Sequence, residues 1–95
     1  MLKKFLIERD IPQVGAMTAP QLKDTAATSN AALAQLAPKV QWVQSYVTKD
    51  RTFCVYLAED EAAILEHSRL SGFPASRIVE ISTVIDPTTA RQAAE

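Results

Sequence analysis

Between Gln41 and Ala58 two runs rich in β-branched and aromatic residues flank Lys49-Asp50-Arg51, a pattern that predicts a β-hairpin whose strands sort their side chains onto two faces with a period of two. In the second strand Phe53, Val55 and Leu57 share one parity and Cys54 and Tyr56 the other. The larger aliphatic set is assigned to a face covered by helices. Neither Asn-Gly nor Asp-Gly is present to favour a two-residue turn. The expected register therefore pairs Thr48 with Thr52 and Tyr46 with Cys54. It puts Val43 and Val47 with the covered set, and Trp42, Gln44 and Tyr46 beside Cys54 and Tyr56 on the other face.

The rest of the chain sorts by the same reasoning. Phe5 to Arg9 alternates as a strand, with Phe5 and Ile7 on one face and Leu6 and Glu8 on the other. Ile11 to Met17 contains Pro12 and Gly15 and is a connection. Thr18-Ala19-Pro20-Gln21 opens a helix as N-cap, first-turn proline and capping-box glutamine. Leu22, Ala26, Leu33, Leu36 and Ala37 follow at helical spacing until Pro38 ends it. A second helix is expected over about Asp60 to Leu70, with Ile64 and Leu65 inward and Gly72 as its cap. A last strand is expected over Arg77 to Ile85. Its Val79, Ile81 and Ile85 are assigned to the helix side, and Ile78, Glu80 and Val84 to the open side. Residues 86–95 form an extended tail.

The order is β-α-β-β-α-β, one ferredoxin-like α+β domain over residues 1–95. Two helices cover one face of a four-stranded antiparallel sheet. The other face would expose an apolar patch that monomers usually avoid, so a homodimer closed sheet to sheet, a dimeric α+β barrel, is expected.

Composition narrows the function classes. The 95 residues are 47% apolar and 22% charged with a net charge of -1, an ordinary globular balance with no basic run for nucleic acid. The apolar stretch Phe5-Leu6-Ile7 is far shorter than the ~7–15 residues of a signal-peptide core, and no run reaches membrane-spanning length. The single cysteine, Cys54, cannot form an intrachain disulfide. A cytoplasmic protein without nucleic-acid or membrane partners is expected. An RNA-recognition module shares the element order but needs strand-one aromatics, where this chain has Leu6 and Glu8. Gly15 and Gly72, the only glycines, make no phosphate loop.

Several runs carry a resemblance: Glu8-Arg9-Asp10-Ile11-Pro12, Gln41-Trp42-Val43, Ser45-Tyr46-Val47-Thr48, Cys54-Val55-Tyr56, Gly72-Phe73-Pro74 and Ile85-Asp86-Pro87-Thr88-Thr89-Ala90. Together they resemble a bacterial family of short ferredoxin-like proteins, long counted as a domain of unknown function, that includes an actinobacterial nickel-binding, nickel-responsive protein. The resemblance implies a ferredoxin-like fold, a homodimer and a transition-metal site. Its members often have histidine where this chain has Gln44.

Candidate chemistry is sparse. His67, the only histidine, and Cys54, the only thiol, are the expected metal ligands, with Glu8 or Glu80 adding oxygen. Nickel suits such a mixed set, and zinc would compete for it. Against this stands a structural role for both His67 and Cys54. Leu6, Trp42, Gln44, Tyr46, Tyr56 and Val84 are expected to line an open-face pocket or the dimer face. Arg9 and Asp86, near strand ends, are expected to tether loops or bind an anion. An alternative function is a cofactor-independent enzyme of the dimeric α+β barrel type, a monooxygenase or isomerase working in an open-face aromatic pocket. It rests on fold analogy alone.

Overall fold

Residues 1–91 are described by the computed structural model of the chain. Strand β1 (Lys3–Asp10) leads through a short 3-10 turn at Val14–Ala16 into helix α1 (Ala19–Leu36). The hairpin β2 (Val40–Val47) and β3 (Arg51–Ala58) follows, then helix α2 (Glu61–Ser71), strand β4 (Arg77–Ile81) and a 3-10 turn at Pro87–Arg91. The sheet order is β2-β3-β1-β4, with every pairing antiparallel. This is the expected ferredoxin-like α+β arrangement.

Local chemistry explains the helix ends. Thr18 and Gln21 cap each other reciprocally, and Pro20 sits in the first turn of α1. The Asp60 side chain accepts from the Ala63 N–H at the start of α2. Gly72 ends that helix at φ 81°, a left-handed conformation that a side chain would strain. Leu65 departs from expectation, being half exposed, while Ile64 and His67 turn inward. The spacing of three from Ile64 keeps His67 on its stripe.

The strand faces require a correction. Cys54, Tyr56 and Ala58 lie under the helices together with Phe5, Ile7, Val40 and Ile64, which form the core. Phe53, Val55 and Leu57 are on the open face, opposite Glu8, Leu6 and Lys4 of β1. Antiparallel pairing with β1 sets Cys54 opposite Ile7 and Tyr56 opposite Phe5, and two local features then sort β2 against β3. The hairpin closes through the two-residue turn Lys49-Asp50, with the Thr48 N–H donating to the Arg51 carbonyl at 2.8 Å. A bulge between Trp42 and Gln44 then inserts Val43 as an extra residue in β2. Trp42 therefore pairs with Tyr56 on the covered face, whereas Gln44 pairs with Val55 and Tyr46 with Phe53 on the open face.

Strand β4 is inverted as well and shorter than expected. Ile78 opposes Ile7 and Glu80 opposes Phe5, so both take the covered side, while Val79 opposes Leu6 on the open side. The strand ends at Ile81, which leaves Val84 beyond the sheet and exposed. The expected tail is described as far as Arg91, and its remainder lies outside the described residues.

Candidate ligand pocket

The space between helices and sheet is filled at one end and hollow at the other. At the filled end Leu33, Leu36 and Ala63 pack against Phe5, Val40, Ala58 and Ile64. At the other end a cavity of about 460 Å³ opens beside the first half of α1. Its floor is Arg9 of β1, Trp42, Ser45 and Val47 of β2, and Thr52, Cys54 and Tyr56 of β3. Helix α1 contributes Leu22, Thr25, Ala26 and Ser29, and the α2–β4 loop contributes Gly72, Phe73 and Pro74. Ile11, Val14 and Met17 complete the wall from the β1–α1 connection.

That connection is fixed by a close backbone approach. The Gly15 N–H donates to the Lys49 carbonyl at 2.9 Å. A Cβ at Gly15 would stand 2.6 Å from the Thr48 carbonyl oxygen and 2.8 Å from Lys49 Cα. Only glycine allows the wall to meet the hairpin turn so closely.

A buried polar chain marks the boundary between the two ends. Ser29 Oγ lies 3.4 Å from the Tyr56 hydroxyl and 3.2 Å from His67 Nε2. The His67 and Tyr56 rings are tilted with centroids 5.1 Å apart, and Trp42 stacks on Tyr56 at 6.4 Å. His67 is wholly buried, and its Nδ1 has no protein partner. Burial, with the charge of Arg9 adding to it, pushes the His67 pKa down to about 4, so the imidazole is neutral near pH 7. Burial likewise raises the Tyr56 phenol above its ordinary value.

Among the described residues Arg9 is the one charged side chain lining the cavity, and only 2% of it is exposed. Its Nη1 donates to the Pro74 carbonyl at 2.8 Å, the Phe73 carbonyl at 3.5 Å and Ser68 Oγ at 3.1 Å, holding the α2–β4 loop against β1. Its guanidinium carbon stands 5.8 Å from the centre of the Tyr56 ring. Asp86 acts locally, its carboxylate accepting from the Thr88 N–H at 2.8 Å and the Thr88 hydroxyl at 2.5 Å. Those hydrogen bonds hold its carboxyl below the ordinary range.

The residues named as metal ligands do not converge in one chain. Cys54 and His67 are on the covered side, whereas Glu8 faces the open side, 3.2 Å from Arg51 Nη1 and 3.7 Å from Arg77 Nε. Glu80 is exposed on the edge strand β4. Among the described residues no three His, Cys, Asp or Glu side chains gather as a group that could hold a metal. The described residues of a single chain therefore do not fit a resident metal. Of the residues expected to share an open-face pocket, Trp42 and Tyr56 line the covered cavity instead, Leu6, Gln44 and Tyr46 stay on the open face, and Val84 joins neither. Arg9, expected to tether a loop or bind an anion, does hold a loop, and what its parity with Phe5 and Ile7 also offered was its place beneath the helices.

A two-layer ferredoxin-like protein with a pocket between its layers is the class these features define. Residues 5–81 match the family described as "Nickel responsive protein SCO4226-like", and the chain belongs to that family. The fold is similar to the crystal structure of SCO4226 from Streptomyces coelicolor A3(2), with a TM-score of 0.73 and 15% identity over 86% of this chain and 99% of that one. No curated protein matches the sequence. Among the described residues no helix is long and apolar enough to cross a membrane.

Proposed function

We propose that this protein binds a small organic molecule in the cavity between α1 and the sheet. The supporting observation is a mostly apolar hollow of about 460 Å³ with a few converging polar groups, within the roughly 300–1,000 Å³ of small-molecule sites. Binding by the neutral part of a ligand would be seen as amide shift changes in NMR spectra during titration with uncharged benzene derivatives such as benzyl alcohol and benzamide. Changes confined to the lining, such as at Met17, Ser45 and Cys54, and abolished by Ala26→Phe, are the expected outcome. Changes confined to the open face would overturn the reading.

We propose further that two copies associate through their open sheet faces. Leu6, Val55 and Val79 run across the middle of that face, between partly exposed Phe53 and Ile81, and Glu8 with Arg51 and Arg77 forms a charged rim. A central apolar stripe with a polar rim is the anatomy of an interface. Sedimentation should report a dimer at micromolar concentration that Leu6→Asp dissociates, and a monomeric wild type would refute it.

Family membership supports nickel as a second reading. Cys54 and His67, whose Nδ1 lacks a partner, are the soft and imidazole donors on the covered side, and further donors would have to come from outside this set. Calorimetric nickel titration of the wild type and His67→Ala separates the cases. Equal binding removes His67 from any site, and binding lost in the variant supports it.

A further inference from the structure

We propose that the cavity takes its ligand as a monoanion, a carboxylate on an apolar aromatic or aliphatic body, with Arg9 as the residue that binds the charge. The inference rests on the small-molecule reading above and adds the chemical class of the ligand.

Among the described residues Arg9 is buried without a counterion. The described residues form four ion pairs, and Arg9 takes part in none of them. Its three protein acceptors are uncharged and all served by one nitrogen, Nη1. The second terminal nitrogen, Nη2, is buried with no protein acceptor at all. A desolvated cation in that condition costs several kcal/mol unless something pairs with it. No group around it supplies the charge, because burial keeps Tyr56 protonated and His67 is neutral. Tyr56 gives it a ring face and a protonated hydroxyl, neither of which carries a compensating charge.

The shape of the deficit indicates its complement. A guanidinium presents a planar fork that a carboxylate fills with two oxygens, and such charge-assisted bonds are the strong ones. Most of the remaining wall is apolar, Ile11, Val14, Met17, Leu22, Val47 and Phe73 among it, which suits a hydrocarbon body, and its hydroxyls at Thr25, Ser29, Ser45 and Thr52 carry no charge. A phosphate dianion would call for a second cation or a nest of backbone N–H groups, and among the described residues Arg9 is the only cation in the lining. One buried cation in an apolar chamber selects a single negative charge at one end of an apolar molecule. Burial of Arg9, costly in the free protein, then becomes the source of selectivity.

The test is calorimetric titration of the full chain with phenylacetate, 4-phenylbutyrate and 6-phenylhexanoate, each against its uncharged amide. The best acid is expected to bind at least about tenfold more tightly than its amide, the effect of about 1.4 kcal/mol from a charge-assisted pair. Arg9→Gln should abolish the preference for the acid over its amide, a ratio read within the variant so that any weakening of both probes by a loosened α2–β4 loop cancels. If Arg9→Gln does not fold, the acid-to-amide ratio in the wild type decides alone. Equal affinities for acid and amide would overturn the role of Arg9 and leave the pocket standing. Undiminished acid binding by folded Arg9→Gln would also overturn it. Absence of binding by all six probes at millimolar concentration would overturn both readings.

Discussion

The two ends of the covered face are built from the same strands and the same helix, yet one is packed solid and the other encloses a chamber. At the packed end β1 and β3 present Phe5 and Ala58, and α1 and α2 answer with Leu33, Leu36 and Ile64. Four to six residues further along those strands stand Arg9, Thr52 and Cys54, opposite Thr25, Ala26 and Ser29 of α1. The helix is continuous, so the difference lies in side-chain size. Small residues on the first half of α1 leave unfilled the volume that leucines fill on the second half. A thin apolar stripe is therefore a structural weakness in one half of a helix and a way to keep space in the other.

The largest effect should separate the two ends. Ile64→Ala removes buried methyl groups where neighbours already fill the space, and should cost about 2–5 kcal/mol in urea unfolding. Ile7→Ala should fall in the same range, since Ile7 is wholly buried in the same cluster. A loss below about 1 kcal/mol at both positions would mean that the packed end is as loose as the hollow one.

His67, at the seam, sharpens the comparison through pH. Its native pKa of about 4 is below the ordinary 6.5, so the unfolded chain binds the proton more readily. Its contribution to stability is therefore fully present above about pH 6.5 and is lost as the pH falls from there toward 4. The shift corresponds to a loss on the order of 3 kcal/mol over that window. His67→Gln should flatten this part of the stability curve, measured by urea unfolding between pH 4 and 7.5. A curve of unchanged slope would mean that the ring is protonated in the native protein.

Gly15 tests the outer wall of the chamber. Gly15→Ala would drive Cβ into the Thr48 carbonyl and Lys49 Cα, both backbone, so neither can swing aside. A cost of about 1–3 kcal/mol is expected, the usual penalty of overpacking. Gly72→Ala meets nothing within 4 Å and carries only the strain of its positive φ, about 1 kcal/mol. Reversal of that order, read as melting temperatures, would show that the connection does not bear on the hairpin turn.

Element order was legible in the sequence because its signals are local. The Thr18–Gln21 box, Asp60, Gly72 and Pro38 each fix an end from the chemistry of a few neighbours. Face assignment was not legible in the hairpin, because β3 is apolar at both parities. With Phe53, Val55 and Leu57 against Cys54, Tyr56 and Ala58, periodicity alone has no sign. The sign came from the register with β1, which sets Cys54 opposite Ile7, while the turn and the bulge at Val43 sorted β2, and a one-residue insertion there leaves no compositional mark. For the same reason the chamber was sought on the wrong side of the sheet. Yet β1 alternates plainly, and Arg9 in the parity of Phe5 and Ile7 announced a buried cation.

The smallest stability effect should be the most diagnostic of the two ends. Ala26 lines the chamber and is half-buried, with open volume before it in place of packed side chains. Enlarging a residue in a filled core costs roughly 1–3 kcal/mol, because neighbours must leave their rotamers. Ala26→Leu places its new methyl groups where no atoms stand, and leucine is nearly as good a helix former as alanine. Its unfolding free energy should remain within about 1 kcal/mol of the wild type, or rise slightly as apolar surface is covered. The same substitution at Ala32, which is buried within the filled half of α1, should destabilise by the full overpacking penalty. Binding of benzyl alcohol should disappear in Ala26→Leu while the fold persists. A loss of stability at Ala26 equal to that at Ala32 would mean that the chamber closes in solution and that the two halves of α1 pack alike.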